Sequence, residues 1–127
     1  MRTGKLTIRG VEYPLCFSTR VVCDAQIRFG GLPEMTEAMR SGDLRVKLDA
    51  VTWALARMLD AGDRYAKLSG EPHPDRLPPN QEDLLDLYGP DDLLELVTAV
   101  YDTINASSSR DVESEAPKNA EAAPEST

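Results

Sequence analysis

Histidine occurs once in these 127 residues, cysteine twice, tryptophan once and phenylalanine twice, and each scarcity removes a class of chemistry. Cys16 and Cys23 stand seven apart, with no C-x-x-C pair and no further cysteine to complete a zinc site. They read as two small packed hydrophobes in a reducing compartment. His73 lies between prolines with no second ligand or nucleophile near it in the chain, and reads as a solvated loop residue. Neither G-x-G-x-x-G nor a P-loop is present, and Gly30-Gly31 is an isolated helix stop. Ser107-Ser108-Ser109 has no base nearby and reads as linker. Glu82-Asp83 and Asp91-Asp92 fall at helix starts, where capping accounts for them better than acid–base catalysis. A protein without catalytic residues, bound metal or cofactor is expected.

Positive charge is also short. Fourteen Lys and Arg face 22 Asp and Glu, for a formal charge of −8. That balance disfavours a general nucleic-acid binder, which neutralises phosphates with basic residues, and equally an anionic membrane surface. The charge is uneven: residues 1–29 hold five basic and two acidic side chains, net +3, which leaves −11 on the rest. Head-to-tail self-association or an acidic partner surface is one consequence, and scattered solvated charge is the plain one. No run is long and apolar enough for a membrane span, and the N-terminus lacks the apolar stretch of a signal peptide. The expectation is a cytoplasmic protein.

What is present is mostly helical periodicity behind one short β element. Leu6 and Ile8 alternate with polar neighbours, Arg9-Gly10 make a two-residue turn, and Val11, Tyr13 and Leu15 alternate again. This pairing places Leu6, Ile8, Val11 and Tyr13 on one face and Pro14 on the other, at an edge. A lone hairpin is marginal in water, so that face must lie on helices. Ser18 caps a helix running to Phe29, with Val22, Cys23, Gln26 and Phe29 as its mostly apolar face and Gly30-Gly31 as its exit. Pro33 opens a short helix carrying Met35, Ala38 and Met39, closed by Ser41-Gly42. Asp43 caps the longest helix, ending at Leu68 or Ser69, with a stripe of Leu44, Leu48, Val51, Leu55, Met58 and Tyr65.

Trp53 falls opposite that stripe, beside Arg57. Either the hairpin or the last helix covers it, or it anchors a partner. The proline-rich stretch from Gly70 to Pro79 can be neither helix nor strand. Asn80 caps a short helix with Leu84, Leu85 and Leu87, stopped at Tyr88-Gly89-Pro90. A final helix begins at Asp91-Asp92 and carries Leu93, Leu96, Val97, Val100 and Ile104. The fold expected is mainly α (α+β), a hairpin packed on a small bundle of about five helices, as one domain over residues 1–106. Residues 107–127 are mostly Ser, Glu, Ala and Pro, with one Val and no aromatic, and read as a disordered acidic tail.

The order of these segments carries a resemblance. "LTIRGVEYPLCF", then "STRVVCDAQIRFGG", a long helix, a proline-rich break and "NQEDLLDLYGPDDLLELVTAVYDTINAS" look like the tail assembly chaperones of long-tailed bacteriophages, especially those of Gram-positive hosts. The matching positions are Gly10, Tyr13, Phe17, Arg20, Phe29-Gly30, Leu84-Leu85-Asp86 and Leu93 to Ile104, within residues 4–106. The resemblance implies a chaperone that binds the tape-measure protein in many copies and keeps it soluble. It also implies recruitment of tail-tube subunits and departure before the tail is complete, so that the protein acts in the host cytoplasm and is missing from the virion. A longer frameshifted product is implied as well, for which the codons of Lys118-Asn119 are compatible with slippage. Met35, Met39 and Met58 offer adaptable apolar contacts to such a client, and Trp53 and Arg57 are further candidate partner contacts; the alternative for the methionines is core filling. A rival function is a small acidic adaptor, antitoxin-like or anti-repressor-like, that binds one globular protein. A structural head–tail component is a third, which predicts the protein in purified virions.

Overall fold

The computed structural model describes residues 3–119, and their side chains from 3 to 107. Strands β1 (Gly4–Ile8) and β2 (Val11–Leu15) form the antiparallel hairpin that the alternation predicts. Arg9 and Gly10 both have positive φ, 51° and 84°, the backbone of a type I′ turn, whose twist suits a two-residue loop. The register pairs Leu6 with Tyr13 and Ile8 with Val11. Leu6, Ile8, Tyr13 and Leu15 are buried on the inner face, with Val11 half-buried beside them.

Helix α1 (Thr19–Phe29) is capped by Ser18, whose side chain accepts from the Val21 amide, and ends at Gly30 with φ 99°. Its inner face differs from the one expected. Val21 and Ala25 are buried, while Val22, Cys23 and Gln26 are exposed. Adjacent valines let either phase look apolar, and the small Ala25 allows the closer approach to the core. Gly31, at φ 147°, leads into α2 (Leu32–Met39), with Pro33 in its first turn where no N–H is needed.

The long helix α3 (Leu44–Ser69) is capped by Asp43, which accepts from the Arg45 amide, and stops at Gly70 with φ 70°. It is the centre of the fold and packs against β2, α1, α2, α4 and α5, while β1 packs against α5. Val51, Leu55 and Met58 are buried as the stripe predicts, with Tyr65 half-buried, but Leu44 is 51% exposed. A hydrophobic stripe sets the direction a side chain faces, not whether a neighbour reaches its first turn. Two buried threonines satisfy their hydroxyls within their own helices: Thr52 donates to the Leu48 carbonyl at 2.6 Å and Thr103 to that of Ala99 at 2.8 Å.

Residues Glu71 to Asn80 form neither helix nor strand. Asn80 then makes a reciprocal cap with Asp83 at the start of α4 (Gln81–Leu87), whose one buried residue is Leu84. A single 3-10 turn, Pro90–Asp92, leads into α5 (Leu93–Asn119). Leu96, Val100 and Ile104 of α5 are buried, as their spacing predicts. Between residues 108 and 119 only the helical backbone is described. The expectation of a disordered tail over 107–127 therefore lies almost wholly outside the side chains described. Among the described residues no helix is long and apolar enough to cross a membrane.

Candidate partner-binding groove

Five residues stood out in the sequence as partner contacts, and the fold separates them. Met35, Met39 and Met58 are each at most 1% exposed. They belong to the core, and the expectation that they present a contact surface is corrected. Unbranched and polarizable, these side chains fill the irregular space where α2 crosses α3.

Trp53 and Arg57 remain together, one turn apart on the outer side of α3. Trp53 is half-buried, and the element seen against its ring comes from α1. At the end of α1 the Phe29 ring meets Trp53 edge-on, with centroids 5.3 Å apart and planes at 80°, the favoured arrangement for two quadrupoles. The Arg28 guanidinium lies 5.4 Å from the Phe29 ring and 5.8 Å from Trp53. Arg28 also pairs with Asp49, and Arg57 with Asp24 at 3.4 Å. Two ion pairs thus tie α1 to α3 on either side of the indole.

The opposite flank is closed by the start of α4. The Gln81 side-chain amide donates toward the Asp49 carbonyl, the Asp49 carboxylate and the Thr52 hydroxyl, each at 3.1 Å. Between these ties lies a groove of about 340 Å³. Trp53, Ala56, Arg57 and Asp60 form its α3 wall, and Leu77 to Gln81 form the other. An indole face between a cation and a carboxylate suits an apolar side chain with polar flanks, and a protein segment more than a small metabolite.

The remaining chemically capable groups are dispersed. Cys16 is buried and Cys23 exposed, so only the first fits the expected pair of packed hydrophobes. Burial, and secondarily the charge of Glu71, pushes the Cys16 thiol up to about 11, which leaves it protonated and unreactive at neutral pH. Burial also raises Tyr88, helped by the carboxylates of Glu95 and Asp92. His73 is half-buried, with Nδ1 3.0 Å from the Pro74 carbonyl. Among the described residues no group of three or more His, Cys, Asp or Glu is placed to hold a metal ion.

Two surfaces escaped the sequence reading. A shallow groove of about 720 Å³ runs between the start of α1 and the end of α3, along Thr19, Arg20, Ala61, Arg64, Tyr65 and Leu68. Leu68 is 89% exposed in it. The second is a segment rather than a groove: Leu85 and Leu87 of α4 and Leu94 at the start of α5 are exposed by 42%, 39% and 77%. Leu85 and Leu94 lie off the phase of their helices' buried residues, a signal that runs of adjacent leucines hide, whereas Leu87 shares the face of Leu84 and is exposed at the end of its helix. Comparison with protein-family models, with curated proteins and with solved structures gives no match.

Proposed function

We propose that this chain is a non-catalytic tail assembly chaperone of the kind found in long-tailed phages, acting in the cytoplasm of a bacterial host. In this reading it binds the helical tape-measure protein, holds it in solution and helps bring tail-tube subunits to it. The observation that carries the reading is the order of the elements together with their punctuation. A hairpin turning at Gly10 precedes a Ser18-capped helix with Arg20 in its first turn and a Phe29-Gly30 stop, then one long helix, then two acidic, leucine-rich helices. The acidic composition supports it too, since surplus negative charge keeps a helper protein from aggregating while its client's apolar stripes are exposed. Client contact in this reading falls on exposed side chains, with the Trp53–Arg57 groove as the anchor.

The test is co-expression with the tape-measure protein that this reading expects to be encoded in the neighbouring gene. The client is expected to stay in the soluble fraction and to co-purify. Trp53→Ala combined with Arg57→Ala is expected to weaken that retention severalfold without unfolding the chaperone. A client that stays insoluble, or soluble without co-purifying, would sink the chaperone reading and leave a small acidic adaptor in its place.

A further inference from the structure

The two surfaces that the sequence reading missed are chemically complementary. From Leu77 to Ser109 the chain has seven carboxylates and no Lys or Arg. None of these carboxylates takes part in an ion pair among the described residues. Leu85, Leu87 and Leu94 stand exposed in that stretch, within two short turns of the linker Tyr88–Asp92. The groove between α1 and α3 is the converse. It offers the Tyr65 ring, the Ala61 methyl and the Leu68 side chain, edged by Arg20, Arg64 and Lys67.

We propose that this groove receives the acidic leucine segment of a second copy of the chain, so that copies associate head to tail. The occupant follows from charge: leucines framed by Glu and Asp satisfy both the apolar floor and the cationic edge, whereas a basic segment would meet like charge. Arg64 and Lys67 are partly offset by Asp60 and Asp63, which leaves Arg20, of the three cations at the groove's edge, without an ion pair among the described residues. The start of α4 is held away from this groove in its own chain. Gln81 fixes the start of α4 at Asp49 and Thr52 of α3, whereas the groove begins at Ala61, nine residues or about 14 Å further along the same helix. The two surfaces are different patches, so the contact is heterologous and each added copy leaves one groove and one leucine segment free. This inference does not depend on the chaperone reading.

Sedimentation velocity across a concentration series tests it. Wild-type protein at low salt is expected to rise from one chain mass to several, and to fall back as salt screens the edge charges. Leu68→Glu in the groove and Leu94→Arg in the segment change exposed side chains, so both variants should fold, as circular dichroism will check. Each alone is expected to remain monomeric. Mixed, they retain one intact groove and one intact segment between them, and should form a one-to-one dimer that grows no further. A wild type that is monomeric throughout overturns the proposal. So does association that persists in both single variants, or a mixture that yields no heterodimer.

Discussion

Gly62, in the middle of α3, lies directly against the backbone of Pro14. A Cβ at position 62 would overlap the Pro14 carbonyl oxygen and sit 3.0 Å from the Leu15 nitrogen. The absent side chain is what lets β2 seat on the central helix. Gly62→Ala gains about 1 kcal/mol of helix propensity and is nonetheless expected to destabilise, because both partners in the overlap are backbone. The net loss should be roughly 1–3 kcal/mol, read as a lower urea midpoint. Gly42→Ala, where a Cβ meets nothing within 4 Å, is the control and should be near neutral.

Met35 and Met39 give a prediction that separates core from interface. Alanine at either is expected to cost about 2–5 kcal/mol, as for other fully buried large side chains. Glutamine at either should lower the melting temperature and client retention together. Loss of client with an unchanged melting temperature would return the methionines to the surface.

Trp53 should behave as a half-buried aromatic. With one edge on Phe29 and a guanidinium nearby, Trp53→Ala is expected to cost about 2 kcal/mol, less than the roughly 3–5 of a fully enclosed ring. Its emission should lie between the buried and solvated limits and shift further to the blue when a client is bound. Emission unaltered by a co-purified client would place the contact elsewhere.

The two thiols should differ sharply. In native protein at neutral pH a disulfide-exchange reagent is expected to modify Cys23 alone, and both cysteines in denaturant. The pH dependence has a definite sign. The folded Cys16 thiol ionises near 11 against an ordinary 9.0, so between these values the unfolded chain releases a proton that the folded chain keeps. Stability from this group is therefore complete below about pH 9 and declines as the pH rises towards 11. Comparing urea midpoints of wild type and Cys16→Ala across that window isolates the contribution, which the variant should lack.

The ties around the Trp53 groove can be tested one at a time. Gln81→Ala removes the amide that links α4 to Asp49 and Thr52, and should cost about 1 kcal/mol. It should also widen the groove by freeing the Leu77–Asn80 wall, which amide exchange at Leu84 and Tyr88 would report as faster opening.

Punctuation was legible in the sequence where a local rule decides it. Arg9-Gly10, Ser18, Gly30, Asp43 and Asn80 each do the job their residue type implies, and alternation fixed the hairpin register. What the sequence could not convey was which of two equivalent faces meets a neighbour. Val21 and Val22 are interchangeable until Ala25 is seen to touch the core, and Leu44 continues a stripe beyond the reach of its partners. The candidate site suffered from the same ambiguity: methionine suits a core and an interface equally, so only burial separates Met35 from Trp53. Gly62 carries a signal of its own, because a lone glycine inside a strongly periodic helix costs helix propensity and so points to a packing reason.

The missing side chain at 62 also uncovers the Met58 carbonyl, one turn earlier, and the Cys16 amide donates to it at 3.1 Å. The residue that follows β2 thus shares a backbone hydrogen bond with the central helix, between positions more than forty residues apart in the chain. Breaking the β1–β2 pairing does not by itself release the Cys16 amide, whose acceptor lies on α3; the end of β2 must also lift off the helix. Its deuterium uptake should therefore follow the slow amides in the middle of α3, and the end of β2 should open in the same cooperative event as the central helix.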